Sequence, residues 1–192
     1  MAGESYLVVG LGNIGPEYAL TRHNMGFIVL DAWAQTSNTS FNTLRYGDLA
    51  ELHLKGRNIY LLKPSTYMNL SGNAVRYYLQ KLPIPVERLI VICDDINLPF
   101  GTLRMRKGGS DGGHNGLKNI AECIETQNYA RIRMGVGHDF SEGFQSDYVL
   151  GKLSAEELEE MKSLSEKVIQ GVKDWIWLGA DRAMNVLNTK NK

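Results

Sequence analysis

Three short stretches of this chain end in residues able to move a proton or hold a polar ligand. "GLGNIGPEYALTRHN" carries Asn13, Tyr18, Arg22, His23 and Asn24, "RLIVICDD" ends in Asp94 and Asp95, and "GGSDGGHNGLK" sets Asn115 at the start of a helical run. A free imidazole titrates near ~6.5, so a neutral histidine accepts a proton at physiological pH. A carboxylate on its other ring nitrogen fixes the tautomer and stabilises the imidazolium that forms. His23 and Asp94 are the residues suited to those two roles, against the bland alternative of a pair that ties a loop to a sheet. Asparagine offers both a donor and an acceptor, so Asn13, Asn69 and Asn115 could read a peptide main chain or sugar hydroxyls. Each is also a common turn or cap residue, Asn69 above all because it opens a helix.

Other chemistries are available on paper. Cys93 beside Asp94 suggests a thiolate nucleophile, but it sits in an apolar strand, where a buried and inert thiol is expected. Asp94, Asp95 and His138 can be drawn as metal ligands, yet no H-E-x-x-H or similar spacing supports them, so no metal and no cofactor are expected. Gly10, Gly12 and Gly15 follow an apolar strand in the G-x-G-x-x-G pattern of dinucleotide sites, with Asp31 about 20 residues on. That fingerprint needs a full helix and a second strand before the acid. Here Met25, Ile28, Val29, Ala32 and Trp33 form a helical stripe instead, which puts Asp31 on a helix and argues against a nucleotide.

The elements that must position these residues can be read from periodicity. Strand-like runs cover 6–10, 49–54, 58–63, 88–94, 102–106 and 129–137, with "LKGRN" as a hairpin turn. Helical spacing covers 69–82, 114–124 and 154–178, the last opened by a capping box of Ser154 and Glu157, and "GADRAMNVLN" supplies a further short helix. Strands alternating with helices give an α/β class: a single domain over 1–192 with a twisted, mixed β-sheet flanked by α-helices. Polar residues at strand carboxyl ends lie where open α/β sheets carry their sites.

Composition narrows the partners. The formal net charge is zero, so a polyanion must be held by a local basic face. Residues 101–137 carry a local excess of +3, and 154–174 carry −3. No run reaches the ~20 apolar residues needed to span a bilayer, and the start lacks a secretory pattern. Two cysteines without CxxC spacing fit a reducing compartment, so a cytoplasmic protein with no membrane partner is expected.

Taken in order, "GLGNIGPEYALTRHNMG", "KPSTYMNLSG", "CDDINLPFGTLRMRKGGSDGGHNGLK" and "RIRMGVG" resemble the successive signatures of bacterial peptidyl-tRNA hydrolases, and "YVLGKLS" extends the likeness to nearly the whole chain. Two departures stand out: Ile14 replaces the proline usual in the first loop, and Cys93 replaces the histidine usual before the aspartate pair. The resemblance implies a monomeric, metal-independent esterase that cuts peptide from the terminal ribose of tRNA. His23 is then the base, Asp94 its orienter, and Asn13 a catalytic residue that separates blocked from unblocked aminoacyl-tRNA. Asn69 and Asn115 touch substrate, and any of the three asparagines could donate to the oxyanion. Tyr18 and Tyr67 stack on the terminal adenine, line the cleft or pack in the core, and Met68 shapes the cleft wall. Arg104, Arg106, Lys107 and Arg133 are candidate binders of acceptor-stem phosphates, the first two sharing a strand face; a charged edge strand that resists aggregation is the alternative. His114 follows the motif as a brace for its loop. A lid over 139–145 is left open, and an RNA-binding module without catalysis is the rival from another class.

Overall fold

Alternation along the central strands sends side chains to two separate cores. In β1 (Ser5–Gly10) Tyr6 and Val8 enter one cluster while Leu7 and Val9 enter the other. In β5 (Leu89–Asp95) Ile90 and Ile92 part in the same way from Leu89, Val91 and Cys93. Strands buried on both faces need helices on both, and α1 (Met25–Thr36) and α5 (Ala155–Leu178) cover one side. The second side is closed by α2 (Ser71–Lys81) and α3 (Asn115–Ile124). The computed structural model describes residues 3–190.

Among the described residues the sheet has seven strands in the order β2-β3-β4-β1-β5-β7-β6, completed by β2 (Asn42–Leu44), β3 (Gly47–Leu54), β4 (Arg57–Pro64), β6 (Leu103–Arg106) and β7 (Ala130–Gly135). Pairings β4-β1-β5-β7 are parallel, and the flanking strands are antiparallel. The expected mixed α/β sheet is therefore the observed one. The β3–β4 hairpin turns on Lys55 and Gly56, both at positive φ, as the "LKGRN" stretch implies. One strand and one α-helix lie outside the expected runs: β2, and α4 (Gln145–Val149).

α5 starts where the capping box sets it, with Glu157 N donating to Ser154 Oγ at 3.1 Å and Ser154 N to Glu157 Oε1 at 2.9 Å. The last helix, α6 (Ala180–Lys190), lies along the outer strand. There Asn188 accepts from Met105 N at 2.8 Å and donates to Met105 O at 3.1 Å, so a side-chain amide closes the edge of β6.

Candidate active site

The carboxyl ends of β1, β5 and β7 open into one cleft of about 280 Å³, room for the reacting end of a substrate rather than for a whole one. Asp94 reaches it from the carboxyl end of β5 and is 3% exposed. His23 comes from a 3-10 turn, Arg22–Asn24, that enters α1. That turn is held from behind: Arg22 N donates to Gly151 O at 3.1 Å, Leu153 N to Leu20 O at 2.9 Å, and Thr21 bridges Lys152.

His23 Nδ1 lies 2.9 Å from each oxygen of Asp94. A carboxylate only accepts, so the proton of the neutral ring is on Nδ1 and the lone pair is on Nε2, which meets no partner among the described residues. A second imidazole shares the same carboxylate, with His114 Nε2 3.0 Å from Asp94 Oδ1. His114 is also the N-cap of α3, its Nδ1 accepting from Gly116 N at 3.1 Å and Leu117 N at 3.4 Å. A nitrogen that accepts carries no hydrogen, so the cap forces the His114 proton onto Nε2 and aims it at Asp94. Burial alone would push the Asp94 carboxyl up; the charges and hydrogen bonds of His23 and His114 outweigh it and hold the group well below the usual carboxylate range.

His23, Asp94 and His114 each offer an atom within 4.8 Å of the others, which is close enough to suggest a cation cage. The tautomer argues otherwise. His114 could give Nε2 to a metal only by becoming an imidazolate or by surrendering the helix cap. The trio is one carboxylate accepting from two imidazole N–H groups. His138, drawn from the sequence as a possible ligand with Asp94 and Asp95, is exposed and packs tilted against Phe140, ring centroids 4.1 Å apart.

Asn13 stands on the loop after β1, buried at the cleft wall. Its Oδ1 accepts from Met68 N at 2.8 Å, so the amide is oriented and its Nδ2 is the donor left over. The backbone of Asn13 is clasped by Asn24, 1% exposed: Asn13 N donates to Asn24 Oδ1 at 2.8 Å and Asn24 Nδ2 to Asn13 O at 2.9 Å. Because Asn24 adjoins His23, this reciprocal pair fixes the Asn13 amide and the His23 ring in one frame.

Of the other expected site residues, Tyr67, Met68, Asn69, Asn115 and Arg133 line the cleft, with Tyr67 62% exposed at its mouth. Tyr18 lies outside it, half-buried on a turn, Pro16–Tyr18, that Gly15 at φ 114° swings aside. Arg104 and Arg106 also lie outside, sharing one face of β6 as the alternation implies. Arg104 is in register with Arg133, and Arg106 with Arg131, so four arginines stand on one face at this edge of the sheet. Lys107 pairs with Asp181 at 2.8 Å. Cys93 is buried, and burial pushes its thiol up, which leaves it protonated and unreactive. Gln145, Ser146, Val149 and Leu150 complete the wall from α4 and its end; no signal beyond the "YVLG" stretch marks them in the sequence.

The profile of the peptidyl-tRNA hydrolase family matches residues 7–192. The chain belongs to that family. The peptidyl-tRNA hydrolase of Bacteroides fragilis is 55% identical over 185 residues, which cover 96% of this chain and 99% of its own length. That of Cytophaga hutchinsonii is 52% identical over 185 residues, covering 96% and 98%. Among solved structures, the crystal structure of peptidyl-tRNA hydrolase from Acinetobacter baumannii superposes with a TM-score of 0.89 at 34% identity, covering 98% of this chain and 96% of that one. In this member of the family, Cys93 packs in the core with Leu117 and Ile120 of α3. Ile14 is exposed on the first loop.

Proposed function

We propose that this chain hydrolyses the ester between peptide and tRNA in peptidyl-tRNA, releasing free tRNA and free peptide. The observation that carries the reading is the His23 ring, held by Nδ1 on both oxygens of Asp94 with its Nε2 lone pair available to a water. In the first step Nε2 takes a proton from that water as the oxygen attacks the acyl carbon. The carbonyl electron pair moves to oxygen, and the oriented Nδ2 of Asn13 donates to the oxyanion. Asp94 stabilises the imidazolium, and His114 keeps the carboxylate in place by its own N–H. The intermediate then collapses: the bond to the ribose oxygen breaks, and the proton on Nε2 passes to that leaving oxygen. Every atom in this scheme comes from the substrate, the water or the side chains named.

Asn69 and Asn115 read main-chain or ribose groups beside the scissile bond, and Tyr67, which lines the cleft, stacks on the terminal base. Arg133 at the rim, continued by Arg104 and Arg106, takes acceptor-stem phosphates without reading sequence; Tyr18, off the cleft, could touch only a part of the RNA that overhangs it. No helix of the described residues is long and apolar enough to cross a membrane. A cytoplasmic monomer acting on tRNA fits these features. The decisive assay is release of an N-blocked amino acid from tRNA, with unblocked aminoacyl-tRNA as control. His23→Ala should cut turnover by about 10²- to 10⁴-fold while binding stays within a few-fold; undiminished turnover would remove His23 from the mechanism.

A further inference from the structure

Arg131 is a buried cation with no part in the scheme above. It is 1% exposed, yet the described residues bring no carboxylate within hydrogen-bonding reach of it. A guanidinium taken out of water without a counter-charge is costly. Its donors meet main-chain carbonyls: Nη2 to Gln127 O at 2.7 Å and to Tyr129 O at 3.3 Å, Nε to Tyr129 O at 3.4 Å, and Nη1 to Ser110 O at 3.3 Å. The Tyr129 ring lies 4.0 Å beneath the charge.

Ser110 O lies in the glycine-rich loop that runs from β6 to α3, whereas Gln127 and Tyr129 stand on the connection from α3 to β7 against which the root of that loop rests. Gln127 O also takes the N–H of Gly109 at 3.2 Å, and Ser110 O also takes Arg133 Nη2 at 2.7 Å. Beyond Ser110 the loop holds itself by short-range bonds, Gly113 N to Asp111 Oδ1 at 2.8 Å and His114 N to Asp111 O at 3.0 Å, and then presents His114 and Asn115 to the cleft. Gly109, Gly112 and Gly113 all have positive φ, so little in the loop's own backbone resists a change of path.

We propose that Arg131 is a positioning residue: its forked guanidinium pins the root of this loop and so sets His114 against Asp94, and through Asp94 the orientation of the base His23. Its neighbour Arg133 shares the Ser110 carbonyl but stands at the rim, so the two should differ in kinetic signature. The inference rests on the proposed esterase reading, and it is tested on the full chain.

Lysine keeps the charge but cannot span three carbonyls. Arg131→Lys should therefore lower kcat by about 10- to 100-fold with KM nearly unchanged. The slope of log KM against log salt should also stay the same. Arg133→Met should instead raise KM and flatten that slope by about 1. Amide exchange across 109–115 should speed up in Arg131→Lys and in Arg131→Gln while the strands stay protected. Unchanged kcat in Arg131→Lys, or a flattened salt slope in place of the kcat loss, overturns the assignment. Global unfolding of both variants overturns it as well, because the residue would then be holding the sheet and not one loop. If the wild-type chain fails to cleave N-blocked aminoacyl-tRNA, the esterase reading falls, and the exchange data still decide whether Arg131 anchors the loop.

Discussion

Two glycine-rich loops meet at Asp94, and their glycines are there for different reasons. In the first, Gly15 needs its positive φ, but at Gly10, where β1 ends, and at Gly26 facing it from α1, space is the constraint. A Cβ on Gly10 would lie 2.3 Å from Gly26 O, and one on Gly26 would lie 2.4 Å from Leu11 N and 2.6 Å from Ile92 O. The G-x-G-x-x-G pattern here records a seam where α1 presses on β1 and β5, not a cradle for a pyrophosphate. In the second, before α3, conformation is the constraint: Gly113 sits at φ 84°, and a Cβ there would meet nothing within 4 Å. A crowded loop is held by its surroundings, whereas an open one needs tethers. The structure supplies them as Arg131, Arg133 and the His114 cap.

Substitutions can break that contrast, beginning with the most damaging. Gly26→Ala should cost about 3–5 kcal/mol, because the clash is with backbone and α1 must leave the sheet. Thermal melting would register it, and a melting point near that of the parent chain would disprove the seam. Asn24→Ala leaves the buried N–H and C=O of Asn13 without their partner and should cost about 1–3 kcal/mol. It should also lower kcat more than it raises KM, since the Asn13 amide and the His23 ring lose their common frame. Steady-state kinetics beside a denaturant titration separate the two effects.

Acid tests the point where the loops join. The folded-state pKa of Asp94 is depressed, so its ionised form favours the native state. That contribution is fully present above the unfolded value of ~3.9 and is lost as pH falls through the lower folded value. Asp94→Asn should flatten the decline of stability in that acid window; an unaltered acid limb would mean that Asp94 is not coupled to the two imidazoles. The mildest change is Gly113→Ala. Strain at positive φ without a clash should cost about 1 kcal/mol and leave a folded enzyme. A loss as large as that of Gly26→Ala would erase the distinction between the loops.

How far this molecule could be read from its sequence follows the range of the forces involved. Short continuous apolar runs closed by Gly or Asp betray β1 and β5, which are buried on both faces, and the spacing of Met25, Val29 and Trp33 betrays α1, where burial repeats with the period of the helix. β2 escapes because its three residues are all exposed, so no face is marked, and α4 escapes because five residues are too few for a period. His23, Asp94 and Asn13 are legible by chemical type and by their place after strands. Asn24 and Arg131 are not, since their partners are main-chain atoms, and a backbone carbonyl leaves no letter in the sequence. Tyr18 and the pair Arg104 and Arg106 show the converse: residue type and strand face are right, but the path of a turn and the rank of an outer strand decide what they can reach.

The double duty of His114 ties chemistry to cooperativity. The ring nitrogen that stops α3 from fraying is the one whose occupancy dictates where the other nitrogen sends its proton. Helix start and ring tautomer thus share one contact: a chain caught with this helix terminus undone would keep Asp94 alone to hold the proton on Nε2.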